Sequence, residues 1–197
     1  MDQRISFRRN VPTQDLFLYA RSFHTAAKKL AEAPELNSGP FTDLAACWPV
    51  VFLYRHALEL HLKAIVLGEG GNFLATKPDA LSVHKTHSVS WLAQFVAQIV
   101  TALKWEPEFK CEGIENLDDF KVAIEEVNSV DPGSYVLRLP CKTEANGSFN
   151  VQEFATKMDA LLVLLESTAD ALAAEWDMRS GAVEAEENGG GFEPTIQ

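Results

Sequence analysis

Apolar residues recur at steps of three and four along most of the chain, which is the period of an amphipathic helix. The first such stretch lies between Pro12 and Pro34. Its apolar positions are Leu16, Ala20, Phe23, Ala27 and Leu30. A polar loop containing Gly39-Pro40 separates it from a second helix, for which Thr42 or Asp43 supplies an N-cap. The pattern therefore predicts two helices in the first third of the chain.

The second helix is apolar on almost every side from Pro49 to Leu67. A helix of this kind is buried on most faces, so other helices must surround it. Pro49 has no backbone N–H donor, and the helix is expected either to begin there or to kink there. Gly68, with the glycine-rich residues after it, indicates the C-terminal end and a loop. Charged residues interrupt the stretch, whereas a membrane span needs roughly 20 apolar residues, so a core helix is predicted.

Three more helices are predicted in the rest of the chain. A polar connection, Thr76 to Lys85, leads to a third helix that follows Ser88 and is apolar at helical spacing as far as Leu103. A shorter fourth helix follows Asn116. The last and longest helix begins at Asn150, which resembles the first residue of a capping box.

The segment before the last helix has strand and turn signals. Residues 135–139 favour a strand, and Asn146-Gly147 favours a tight hairpin turn. The predicted fold is therefore all-α, an up-and-down bundle of four to five helices with a small β-hairpin before the last helix. One helical-bundle domain is predicted over residues 1–179, followed by an acidic, glycine-rich and disordered tail over residues 180–197.

Composition narrows the class of protein. The formal net charge of -11 argues against a broad electrostatic binding surface for nucleic acid, because phosphate binding depends on clustered Lys and Arg. Cys47, Cys111 and Cys141 are widely spaced and include no C-x-x-C pair, so reduced thiols are predicted. No secretory signal or membrane span is visible, and a cytoplasmic location is expected.

The apolar second helix carries Arg55, Glu59, His61 and Lys63. Charged groups in a buried helix are costly unless they are paired. Arg55, Glu59 and Lys63 follow one another at steps of four, so Glu59 can pair with both cations in a buried ionic ladder. A structural role alone is therefore one of two interpretations of this stripe.

The other interpretation comes from a resemblance. The run FLYRHALELHLKAIVL, the later Thr86-His87 at the start of a helix, and DPGSYVLRLP before a long final helix resemble bacterial members of the HEPN superfamily. The resemblance covers roughly residues 43–176. It implies a bundle of four to five helices, usually a homodimer, and many members of the superfamily are metal-independent ribonucleases. Their motif is an Arg followed, after four to six residues, by a His.

On this resemblance Arg55 and His61 are the candidate catalytic residues, with neither metal nor cofactor. The 2′-hydroxyl of RNA would attack the phosphate, His61 would move protons, and Arg55 would stabilise the developing negative charge. Residues six apart on a helix are rotated by about 120° and lie roughly 9 Å apart along the axis, so two chains would have to bring the groups together. The implied activity is an endoribonuclease of a toxin or defence system, with an antitoxin as a partner.

Two other function classes remain open. A non-catalytic HEPN-like binding or scaffold protein fits the acidic surface and the position of Glu59 in the ladder. Nucleotide binding together with a partner protein rests on family analogy alone. His84 and His87 are three apart before a helix, but without a nearby Cys or carboxylate cluster they are interpreted as loop and cap residues rather than metal ligands.

Overall fold

The computed structural model describes residues 13–33, 44–130 and 150–189. Within these ranges the chain forms six α-helices and no strand, which confirms the all-α prediction. The helices are α1 (Thr13–Ala31), α2 (Leu44–Leu67), α3 (Ala80–Lys85), α4 (Val89–Leu103), α5 (Leu117–Val130) and α6 (Val151–Gly189). The predicted β-hairpin falls within residues 131–149 and lies outside the described residues.

Helix α2 is the centre of the bundle, as its sequence predicts. It packs against α1, α3, α4 and α6. Its fully buried apolar side chains include Val50, Tyr54, Leu58 and Leu62. Removing this apolar area from water is the main stabilising contribution to the bundle. No helix in the described parts of the chain is long and apolar enough to cross a membrane.

The first helical turns of α2 precede Pro49. The helix begins at Leu44, so the alternative that it begins at Pro49 is wrong. Pro49 is the sixth residue of α2, so the proline removes one hydrogen bond, the one that an N–H at this position would donate to the Ala45 carbonyl oxygen. Pro49 is also exposed, so its ring displaces no core side chain.

The glycine-rich segment after α2 is a compact turn rather than an open loop. Residues Glu69–Phe73 form a 3₁₀ helix that packs back against the end of α2. A Cβ atom at Gly70 would lie 2.6 Å from the carbonyl oxygen of Ile65, and one at Gly71 would lie 2.5 Å from that of Val66. These close approaches explain why glycine stands at both positions.

Helix α3 lies in the segment Thr76 to Lys85, which the sequence predicts to be a polar connection only. That prediction is wrong for the second half of the segment, where Asp79 caps the helix by accepting a hydrogen bond from the Ser82 N–H at 2.8 Å. Val83 is buried and holds the helix against the core. Six residues are too few for apolar periodicity to show, so only the cap signal could have predicted this helix.

The last helix is longer than its apolar pattern. Helix α6 is capped by Asn150, whose side chain accepts hydrogen bonds from the N–H groups of Gln152 and Glu153, and it continues to Gly189. It therefore extends past Ser180, where the tail is predicted to begin. Alanine and glutamate are strong helix formers and occur repeatedly after Ser180, which accounts for the extension. Residues 190–197 lie outside the described residues.

Candidate functional site

The charged stripe of α2 forms the predicted ionic ladder. Arg55 Nη1 lies 3.3 Å from Glu59 Oε2, and Lys63 Nζ lies 2.8 Å from Glu59 Oε1. Arg55 and Glu59 are each 1% exposed, and Lys63 is 5% exposed. The structure therefore confirms that Glu59 pairs with both cations inside the bundle.

The junction between α3 and α4 completes this ladder. Arg55 Nη2 donates a hydrogen bond to the carbonyl oxygen of His87 at 2.7 Å, and Lys63 Nζ donates one to the carbonyl oxygen of His84 at 3.0 Å. The Nδ1 atom of His87 lies 3.0 Å from Glu59 Oε1. We call these four side chains, Arg55, Glu59, Lys63 and His87, the α2 charge network. It holds the α3–α4 junction against the middle of α2.

The local sequence of the junction directs these contacts. Helix α3 ends at Lys85, and Ser88 caps α4 by accepting a hydrogen bond from the Trp91 N–H at 3.2 Å. The short stretch between the two helices leaves the carbonyl groups of His84 and His87 without helical partners. Those carbonyls are the acceptors for the N–H groups of Lys63 and Arg55 that Glu59 does not take up.

Glu59 is ionised despite its burial. Burial alone raises the pKa of its carboxyl group, but the hydrogen bond and positive charge of Lys63, and then the charge and hydrogen bond of His87, outweigh burial and lower that pKa below the ordinary value. One carboxylate thus stands between two cations, and the carbonyl dipoles of the junction stabilise the excess positive charge.

His61 lies elsewhere on α2. It is fully buried, and its ring centroid is 6.0 Å from that of Phe17 on α1. Neither ring nitrogen has a hydrogen-bond partner among the residues that the structure describes. Burial, followed by the positive charges of His24 and Arg21, lowers the pKa of His61 to about 4. The ring is therefore neutral at neutral pH.

The structure does not bring Arg55 and His61 together within one chain. The described hydrogen bonds of Arg55 lead to Glu59 and to the α3–α4 junction, whereas His61 faces α1. The six-residue step between them produces this divergence, since it rotates one side chain by about 120° from the other. Both side chains are also shielded from solvent, with exposures of 1% and 0%.

A second polar cluster, which the sequence does not predict, joins three helices. Asp159 Oδ1 on α6 accepts a hydrogen bond from Tyr54 Oη at 2.8 Å and lies 2.7 Å from His24 Nε2 on α1. Lys28 Nζ lies 3.5 Å from Asp159 Oδ2. Burial, and then the hydrogen bond and charge of Asp159, raise the pKa of Tyr54 well above its ordinary value. This cluster fixes α1 and α6 against α2, and its residues lie too far apart in sequence for a local pattern to reveal it.

The remaining candidate ligands do not gather at one place. Among the described residues, no group of three or more His, Cys, Asp or Glu side chains is arranged to hold a metal ion. His84 is exposed, and the ring of His87 contacts Glu59. Cys47 and Cys111 form no disulfide with each other, and Cys141 lies outside the described residues.

Comparisons with models of protein families, with curated proteins and with solved structures find no match to this chain. Membership of the HEPN superfamily therefore stays a prediction from the residues quoted above.

Proposed function

We propose that this chain is a non-catalytic, HEPN-like helical-bundle protein that acts by binding a protein partner. The observation that carries the proposal is the buried environment of Arg55, which is 1% exposed and hydrogen-bonded to both Glu59 and the carbonyl oxygen of His87. A homodimer, which the resemblance implies, and a cytoplasmic location, which the sequence leads us to expect, are part of the same proposal.

Using Arg55 as a catalytic group would disturb the core. A guanidinium that stabilises a phosphate must come within hydrogen-bond distance of the phosphate oxygens. If Arg55 moved to meet an RNA, it would leave the buried carboxylate of Glu59 with one cation fewer and the His87 carbonyl without its donor. Breaking one pairing of a buried ionic group and leaving a carbonyl without its donor are both costly, so the observed arrangement favours a structural role.

The protonation state of His61 supports the same conclusion. A general acid and base works best when its pKa lies near the operating pH. With its pKa lowered to about 4, His61 is almost entirely neutral imidazole at neutral pH, and the imidazolium form that donates a proton to a leaving group is scarcely populated. Its burial also prevents contact with a polymer.

Incubation of the purified chain with labelled RNA in the presence of EDTA tests the proposal. We expect no cleavage by the parent protein, and we expect the same result for His61→Gln and Arg55→Lys, which retain polar groups at both positions. His84→Gln is the matched control, because His84 is an exposed histidine outside the α2 charge network. Cleavage by the parent and by His84→Gln that disappears in folded His61→Gln would overturn the non-catalytic assignment.

The second candidate is a metal-independent endoribonuclease of a toxin or defence system. One observation favours it: Arg55 and His61 have five residues between them, which fits the motif that the resemblance implies. This activity would require a homodimer in which both side chains become accessible to RNA. Cleavage in EDTA that needs Arg55 and His61, together with a dimer in light scattering, is the result that would establish it.

Nucleotide binding is tested separately. Calorimetric titration of the parent protein with ATP and with GTP is expected to give no heat of binding under the non-catalytic proposal. A saturable heat with either nucleotide would instead support the third class of function, in which a nucleotide acts with the partner protein.

A further inference from the structure

An open groove separates α5 from the beginning of α6. Helix α5 packs against α4 and makes at most a few close contacts with α6. The space between them, which residues 112–114 also line, has a volume of about 390 Å³. Binding pockets commonly have volumes of about 300–1,000 Å³, so this groove can take several side chains.

The floor of the groove is apolar. Its apolar lining residues include Ile114, Val122, Val127, Phe154, Met158 and Leu161. Most of these side chains are buried or half-buried, but Val122 is 59% exposed and lies on the α5 side. A concave site lined mainly by apolar side chains with a few polar groups at its edge is the usual form of a binding site.

The rim of the groove is acidic. Four carboxylates line it, those of Glu112, Asp119, Glu126 and Glu153. Among the described residues the one lining cation is Lys157, whose Nζ lies 3.2 Å from Glu153 Oε1. Asp119 accepts a hydrogen bond from the Glu115 N–H at 3.0 Å, whereas Glu112 and Glu126 form no ion pair with any described residue. The rim therefore has negative charge available for a ligand.

From the apolar floor and acidic rim we infer that this groove binds a basic amphipathic helix of a partner protein. Such a helix places apolar anchors at positions i, i+3, i+4 and i+7 on one face, and these fit an apolar groove. Lys and Arg on its flanks meet the carboxylates of the rim, and charge complementarity of this kind gives specificity and speeds association. The inference rests on the proposed function and names the chemistry of the partner.

The same charges argue against a nucleic acid as the ligand of the groove. Phosphates bind where Lys and Arg cluster, and a rim of four carboxylates repels them. An acidic helix would be repelled for the same reason. The rim thus selects a partner whose charge is positive, and the floor selects one that also has an apolar face.

The test measures the binding of a fluorescent helical peptide to the full chain. The peptide consists of leucine and lysine, with leucine at positions i, i+3, i+4 and i+7. The matched peptide has serine in place of leucine and the same charge. We expect the serine peptide to bind at least tenfold more weakly than the leucine peptide. We also expect Val122→Ser and Glu126→Lys to raise the dissociation constant of the leucine peptide at least fivefold.

Val163→Ser is the matched control variant. Val163 is 55% exposed on α6 and does not line the groove, so its substitution should leave the dissociation constant unchanged. Circular dichroism of each variant establishes that the fold is retained. The inference is overturned if the two peptides bind equally, if Val122→Ser and Val163→Ser weaken binding equally, or if no binding is seen.

Two further outcomes separate this inference from the proposed function. If the peptide does not bind and RNA is not cleaved, the groove is not a site for a basic helix, but the proposed non-catalytic function is retained. RNA cleavage that requires His61 would overturn the proposed function, whether or not the peptide binds.

Discussion

Replacing Glu59 by alanine is expected to lower the free energy of unfolding by about 3 to 5 kcal/mol. The substitution leaves Arg55 and Lys63 buried with no carboxylate between them, and it removes the partner of the His87 ring. The free energy of unfolding of a domain is usually only about 5–15 kcal/mol, so this loss would remove a large part of the stability. Urea denaturation followed by circular dichroism measures it.

A triple variant tests whether uncompensated buried charge causes the loss. Arg55→Met, Glu59→Leu and Lys63→Met together replace all three charges with apolar side chains of similar length. Such replacement of a whole buried ionic group is often neutral or stabilising, so the triple variant should be more stable than Glu59→Ala. Equal losses in the two proteins would contradict the assignment of the loss to uncompensated charge, because the triple variant has no charge left in the stripe.

Acid should destabilise the protein through His61. The ordinary pKa of histidine is 6.5, and the folded-state value is about 4. Between these two pH values the unfolded chain binds a proton that the folded chain excludes, so the free energy of unfolding falls as the pH is lowered through this window. A pKa difference of this size corresponds to roughly 3 kcal/mol at pH 4 relative to pH 7.

His61→Leu removes this proton linkage. The variant should keep the stability of the parent at pH 7, since the buried ring has no hydrogen-bond partner among the described residues, and should lose less stability on acidification. His84→Gln removes an exposed histidine and should retain the full acid response. An acid response in His61→Leu equal to that of the parent would contradict the assignment of a neutral, buried ring.

The sequence predicts the ladder because its members lie on a single helix. Arg55, Glu59 and Lys63 recur at steps of four in an apolar context, and the rules for charges on a helix lead directly to their pairing. The contribution of the α3–α4 junction is different. His87 joins the network from a distant part of the chain, and no local pattern shows which carbonyl groups a buried Arg or Lys will reach.

Helix geometry also predicts that Arg55 and His61 face different sides of α2, but it does not predict which residues surround each of them. The rotation between them is fixed by the six-residue step. Only the packing of α1 on α2 shows that His61 is enclosed beside Phe17, with a lowered pKa. The sequence does not predict helix α3 because this helix is shorter than two turns. Helix α6 is longer than its apolar pattern because alanine and glutamate favour the helical conformation beyond that pattern.

A double-mutant cycle between Arg55 and Glu59 tests the central claim most directly, which is that Arg55 serves the core. The free energy of unfolding is measured for the parent, Arg55→Ala, Glu59→Ala and the double variant. The structural role predicts a loss of about 3 to 5 kcal/mol in Arg55→Ala, and a loss in the double variant well below the sum of the single losses. An Arg55→Ala protein that melts like the parent would contradict the claim and leave Arg55 available for catalysis.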